Sequence, residues 1–120
     1  MTRRRMSVAL VVLVLLGTPW ADAGAQTTAA EVVATRQRAE EGDAFAQSRL
    51  GGSYRTGQGV PQDDVQAHMW YNLAASRTTG EARGNAVRGR DQVAGRMTPD
   101  DLSEAQRLAR EWDAAHPREP

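Results

Sequence analysis

The chain has 120 residues, 15 arginines and no lysine, 15 acidic residues and no cysteine, so it holds at most one small domain, and neither disulfides nor thiolate metal sites can stabilise it. A formal charge of zero gives nucleic acid no electrostatic footprint. The arginines are scattered, which fits compositional bias better than a surface selected for bidentate contacts.

The chain opens as an address. Arg3, Arg4 and Arg5 precede an apolar run from Met6 to Leu16, which Gly17, Thr18 and Pro19 interrupt before the roughly 20 apolar residues that a membrane span needs. Ala21-Asp22-Ala23 and Ala23-Gly24-Ala25 follow as small-residue cleavage patterns. Residues 1–25 are therefore predicted to be a signal peptide removed after Ala25, with retention as an anchor as the competing reading. Cleavage would leave 12 basic and 14 acidic residues, a net charge of about −2, in the periplasm or outside the cell.

Helices fill the remainder. Residues 26–38 read as a polar segment leading into a first helix over about 29–41, with Thr28 and Glu31 as a capping box, Val32, Val33, Arg36 and Ala39 on one stripe, and Gly42 as a left-handed stop. Asp43 caps a second helix whose inner positions are Ala44, Gln47, Leu50, Gly51 and Tyr54. Gly51 costs that helix about 1 kcal/mol relative to alanine, so it and Ala46 are read as points where a neighbouring helix comes close. Gly57, Gly59 and Pro61 reverse the chain, and Asp63 or Asp64 caps a third helix over about 64–77. Val65, Met69 and Leu73 form one of its ridges and Ala67, Trp70 and Ala74 another, with Trp70 inside and Tyr71 at the margin, its hydroxyl near water. A fourth helix over about 81–96 carries the narrow stripe Ala82, Ala86, Gly89, Val93 and Met97, weakened by Gly84, Gly89 and Gly95. Thr98 caps the last helix. Pro99 stands at its first position, Asp100 and Asp101 at its positive end, Leu102, Ala105, Leu108, Ala109 and Trp112 on its buried face, and Arg107 pairs with Glu111 outside. His116 and Pro117 end it, leaving 117–120 as a polar tail.

The spaced residues Gly42, Ala44, Ala46, Gln47, Leu50, Gly51, Tyr54, Gly57, Gly59, Val60, Asp63, Ala67, Trp70, Ala74 and Ala75 resemble one complete Sel-1-like repeat over residues 39–77, the tetratricopeptide-related unit of helix, loop and helix. The resemblance implies an all-α fold, an α/α superhelix of about five helices, and a role in protein–protein interaction, commonly as an adaptor, in bacterial members that are often exported. The segment from Met97 to Trp112 resembles the C-terminal extension of short bacterial proteins of this kind. A shift of 38 residues aligns Gly42 with Gly80, Ala44 with Ala82, Gly51 with Gly89, Gly57 with Gly95, Pro61 with Pro99, Asp63 with Asp101 and Ala67 with Ala105. Residues 78–116 are accordingly read as a worn second repeat or as capping helices, with Arg88, Gln92 and Leu108 where Leu50, Tyr54 and Trp70 stood.

Signals for chemistry are sparse. His68 and His116 have no zinc-type spacing; Asp64 and His68, four apart, are weighed as a metal pair and read as a solvated cap and surface group. Gly57-Gln58-Gly59 lacks the Lys-Ser/Thr of a phosphate loop, no serine sits in a nucleophile elbow, and Asp63-Asp64 and Asp100-Asp101 are explained by capping. The basic stretch from Arg77 to Arg96 reads as a solvated face rather than an anion-binding surface. The expectation is a non-enzymatic binding module without cofactor or metal, whose partner is a protein or peptide and not a nucleic acid. In stacks of this kind the first helix of each pair lines the hollow, which nominates Phe45, Arg49 and Gly52, opposite Ala44, Leu50 and Tyr54. Packing of Phe45 near Val33 is the competing reading. Two alternatives stand beside the binding module: an exported cell-wall hydrolase, and a structural subunit that pairs with another copy or with a longer repeat protein because so few repeats leave faces uncovered.

Overall fold

Four helix starts among the described residues are set by side chains that accept from the free N–H groups of a first turn. The Thr28 hydroxyl accepts from Glu31 N–H at 3.2 Å, the Asp43 carboxylate from Ala46 at 3.1 Å, the Asp63 carboxylate from Gln66 at 3.1 Å and the Thr98 hydroxyl from Asp101 at 3.1 Å. The computed structural model describes residues 27–120; the predicted signal peptide lies outside them. Among the described residues the chain forms five helices and no strand: α1 (Ala29–Glu40), α2 (Ala44–Thr56), α3 (Asp64–Ser76), α4 (Gly80–Ala94) and α5 (Pro99–Ala115).

The turn from α1 to α2 is compact because Gly42 takes φ 97°, where a side chain would be strained. Gly42 N–H then donates to Ala39 C=O and Asp43 N–H to Arg38 C=O, each at 3.1 Å, satisfying two of the carbonyls that end α1. Asp43 thus closes one helix with its backbone and opens the next with its carboxylate. Fully buried Gln47 adds a cross-link, donating from Nε2 to Ala39 C=O at 3.0 Å.

The α2–α3 hairpin bends at residues 57–63. Gly59, at φ 75°, lies so close to α1 that a Cβ there would meet Val32 Cγ2 at 2.6 Å and Thr28 O at 2.8 Å. The bend is thereby sealed against the first helix. Leu50, Met69, Trp70 and Leu73 pack with Val32 and Ala39 of α1 and Ala109 of α5, and Tyr54 and Val60 close the edge of that cluster. The Arg36 guanidinium covers the Tyr54 ring, 5.5 Å from its centroid, and donates to its hydroxyl.

Four expectations are corrected by the packing. Val33 is 70% exposed, because the buried stripe of α1 is only Val32 and Ala39 wide. Tyr71 is buried rather than marginal. Its ring is held between α2 and α4, where a Cβ on Gly51 would come within 3.0 Å and one on Gly89 within 2.5 Å. His68 is buried too, and the Asp64 carboxylate is taken by Arg96 at 2.7–3.1 Å, so the two do not form a solvated pair. The basic stretch is likewise not a free face: Arg77 bonds Asp113 at 2.9 Å and lies over the Trp112 ring at 4.6 Å, and Arg90 reaches Asn72 at 3.3 Å.

The C-terminal helices share α3 as their support. α4 stands against α3, and α5 packs on α3 as well, with Trp112 edge-on to Trp70 at 5.9 Å and 69°. Seven residues join α2 to α3 but four join α4 to α5. The shorter bend carries the last helix out of the 38-residue register: Pro61 precedes a cap, whereas Pro99 follows one.

Candidate functional site

The inward face of α2 combines small residues with the larger Gln47 and Leu50. Ala46, Gln47, Leu50, Gly51 and Ser53 are buried, which at 3.6 residues per turn leaves positions 45, 49, 52 and 56 outside. Phe45 is 70% exposed, one of two large apolar side chains so exposed among the described residues. Arg49 is exposed one turn further along, and it has neither a hydrogen bond nor an ion pair among the described residues. Gly52 follows, half-buried, with the Tyr71 hydroxyl behind it, where a Cβ would sit 3.4 Å away. The three nominated residues therefore lie in a row on one helix face.

Three hollows surround this row, and Arg49 lines all of them. The first, about 150 Å³, is walled by Ala44, Phe45, Ser48 and Arg49 of α2, Thr78 of the connecting turn, and Ala82 and Asn85 of α4. The second, about 350 Å³, runs along the other end of α2 past Gly52, Ser53, Arg55 and Thr56 towards Thr35 of α1. The smallest, about 70 Å³, lies between them and is lined by Phe45, Arg38, Thr35 and Asp43 among others. Phe45 borders Thr35 and Arg38 there, and Val33 does not line any of the three.

One wall of the first hollow comes from α4, which the periodicity of α2 does not reveal. Ala44, read as an inner position, is half-buried and forms the groove wall beside Phe45. A signal for it existed in the 38-residue shift, since Ala44 and its counterpart Ala82 face each other across the same groove. Thr78, Asn85 and Ser48 carried no comparable signal.

Charge on this face is one-sided. Arg38, Arg49 and Arg55 line the hollows, against a single carboxylate, Asp43, which is occupied by Ala46 N–H. Arg55 donates to the Tyr71 hydroxyl at 3.3 Å and to Gln92 at 3.2 Å, both neutral. Among the described residues no three His, Cys, Asp or Glu side chains gather as a metal-binding group, and no helix is long and apolar enough to cross a membrane. An exposed aromatic, apolar walls and unpaired guanidinium groups make a surface that can hold a ligand by burial and charge.

Helix hairpins in series, with an open face along the first helix of the pair, define an all-α helical-repeat protein. The Sel1 repeat family model matches residues 44–78, the α2–α3 hairpin and the turn after it. Residues 44–78 therefore carry a Sel1 repeat, and proteins built of such repeats are typically protein-interaction modules and generally non-catalytic. Among solved structures it is similar to a protective antigen present in uropathogenic Escherichia coli strains displaying an SLR fold, with TM-score 0.66 and 26% identity, covering 73% of this chain and 18% of that one. The chain thus spans about a fifth of that antigen's length. No curated protein matches it.

Proposed function

We propose that this chain is a non-enzymatic adaptor or scaffold of the cell envelope that holds a protein or peptide partner along the outer face of α2. The observation that carries the proposal is the row Phe45, Arg49 and Gly52, with Phe45 70% exposed and Arg49 bordering three adjoining hollows. An exposed aromatic beside an unpaired arginine is the composition of a binding hot spot. Substituting both Phe45 and Arg49 by alanine removes contact area without touching the core, so partner capture from a periplasmic extract should fall at least about tenfold while the melting temperature stays within about 2 °C. Undiminished capture would remove the assignment.

Export follows from the N-terminal pattern, three arginines, an apolar run and Ala-x-Ala sites ending at Ala25. A reporter enzyme that is active only outside the cytoplasm, fused after Ala25, should be active. A silent fusion that is nevertheless expressed would place the protein inside the cell.

A further inference from the structure

The surface along α2 also carries information about the chemistry of its partner. We infer that it takes an acidic peptide segment, extended, with one apolar side chain seated between α2 and α4 and carboxylates about three residues further along; the inference rests on the reading of α2 as the partner surface. The groove between Ala44, Phe45 and Ala82 measures about 150 Å³. An apolar cavity of about that volume holds a benzene ring, so one leucine or phenylalanine side chain fills it.

The polar half of the surface selects for negative charge. Arg77, Arg90, Arg96 and Arg107 are each paired with a carboxylate of this chain. Arg38 and Arg49 are not, among the described residues, and Arg55 meets only neutral groups. Among the described residues, no acidic side chain lines the 350 Å³ hollow that contains Arg49 and Arg55. Unpaired guanidinium groups beside an acid-free hollow offer forked donors to a carboxylate and repel a basic segment. The distance fits as well: Arg49 and Arg55 follow Phe45 by four and ten helical residues, roughly 6 and 15 Å along the axis, which an extended peptide covers in about two and about four residues, so that a carboxylate about three residues on lies between the two guanidinium groups.

Selection of a random octapeptide phage library on the immobilised full-length chain tests this, followed by anisotropy titration of the most enriched peptide carrying a fluorescent label. Enriched sequences should contain more Asp and Glu than the starting pool, with a Leu, Ile, Met or Phe about three positions away. Binding should weaken about tenfold with Arg49→Glu, fall with Phe45→Ala, and decline as salt is raised, while circular dichroism of both variants is unchanged. Enriched peptides without acidic excess, whose binding is lost with Phe45→Ala but not with Arg49→Glu, would overturn the acidic partner and leave the partner surface standing. Peptides indifferent to both substitutions, or no enrichment at all, would overturn both.

Discussion

Tyr71 shows how single residues set the spacing of this fold. Its ring occupies a slot that two helices leave by lacking a side chain, Gly51 on one side and Gly89 on the other, and its hydroxyl accepts from Arg55. Neither glycine has positive φ, so the reason for them is space alone. A Cβ at position 89 would lie 2.5 Å from the ring, and the mismatch outweighs the gain of about 1 kcal/mol in helix propensity that alanine brings. Gly89→Ala should therefore destabilise by about 1–2 kcal/mol and lower the melting temperature by roughly 5–10 °C. Gly84, on the same helix, has only the flexible end of Arg88 within 3.4 Å, and Gly84→Ala should raise the melting temperature by a few degrees, about 0.5–1 kcal/mol. Thermal scans giving both variants the same sign would refute the slot.

Elements are tied together by arginines whose worth depends on burial. Arg107 makes ion pairs with Glu104 and Glu111, and the Arg107 guanidinium holds the Glu104 carboxyl below its usual range. That cluster is exposed to water on one helix, where screening leaves little net stabilisation. Arg77 has fewer carboxylates and more consequence. Its side chain is 12% exposed, and it stacks on Trp112, bonds Asp113 and donates to His116 C=O at 3.1 Å, so it fastens the end of α3 to the end of α5. Arg77→Ala should cost about 2 kcal/mol in urea unfolding, and Arg107→Ala should leave the midpoint nearly unchanged. Equal losses would show that the number of ion pairs, not their burial, governs the docking of α5. At the opposite end of α3, Arg96 clamps Asp64 and donates to Arg55 C=O at 2.9 Å, joining the close of α2, the start of α3 and the bend before α5. Asp64 also raises the Arg96 guanidinium further above its ordinary range through their hydrogen bond.

The whole molecule is organised around α3, which buries eight of its thirteen residues and touches α2, α4 and α5. A charge appearing inside it therefore disturbs every layer. His68 is the titratable group placed there, and burial chiefly, then Arg90 of α4, push its imidazole below the ordinary histidine range, against a smaller opposing pull from Asp91. Below about pH 6.5 the unfolded chain takes up a proton that the folded chain resists. Stability should thus decline as pH falls from about 6.5 towards the lower folded value, and this residue should contribute no slope above about pH 6.5. Urea midpoints measured across that range should fall more steeply for the natural chain than for His68→Gln, since both share the same carboxylates. Parallel curves would show that His68 is not buried in solution.

Helix positions, caps and the family resemblance were all legible in the sequence, because capping by Thr28, Asp43, Asp63 and Thr98 and the left-handed turn at Gly42 depend on neighbours only a few residues away. The row Phe45, Arg49 and Gly52 was legible for the same reason, as one face of one helix. Burial of Tyr71 and His68, exposure of Val33 and the docking of α5 on α3 were not, because each depends on what a distant segment brings to that spot. Gly89, eighteen residues beyond Tyr71, admits its ring, and a bend of four residues rather than seven starts the last helix ahead of the 38-residue register. Periodicity along a chain records which face of a helix is apolar, whereas only three-dimensional packing decides which partner covers it and how deeply.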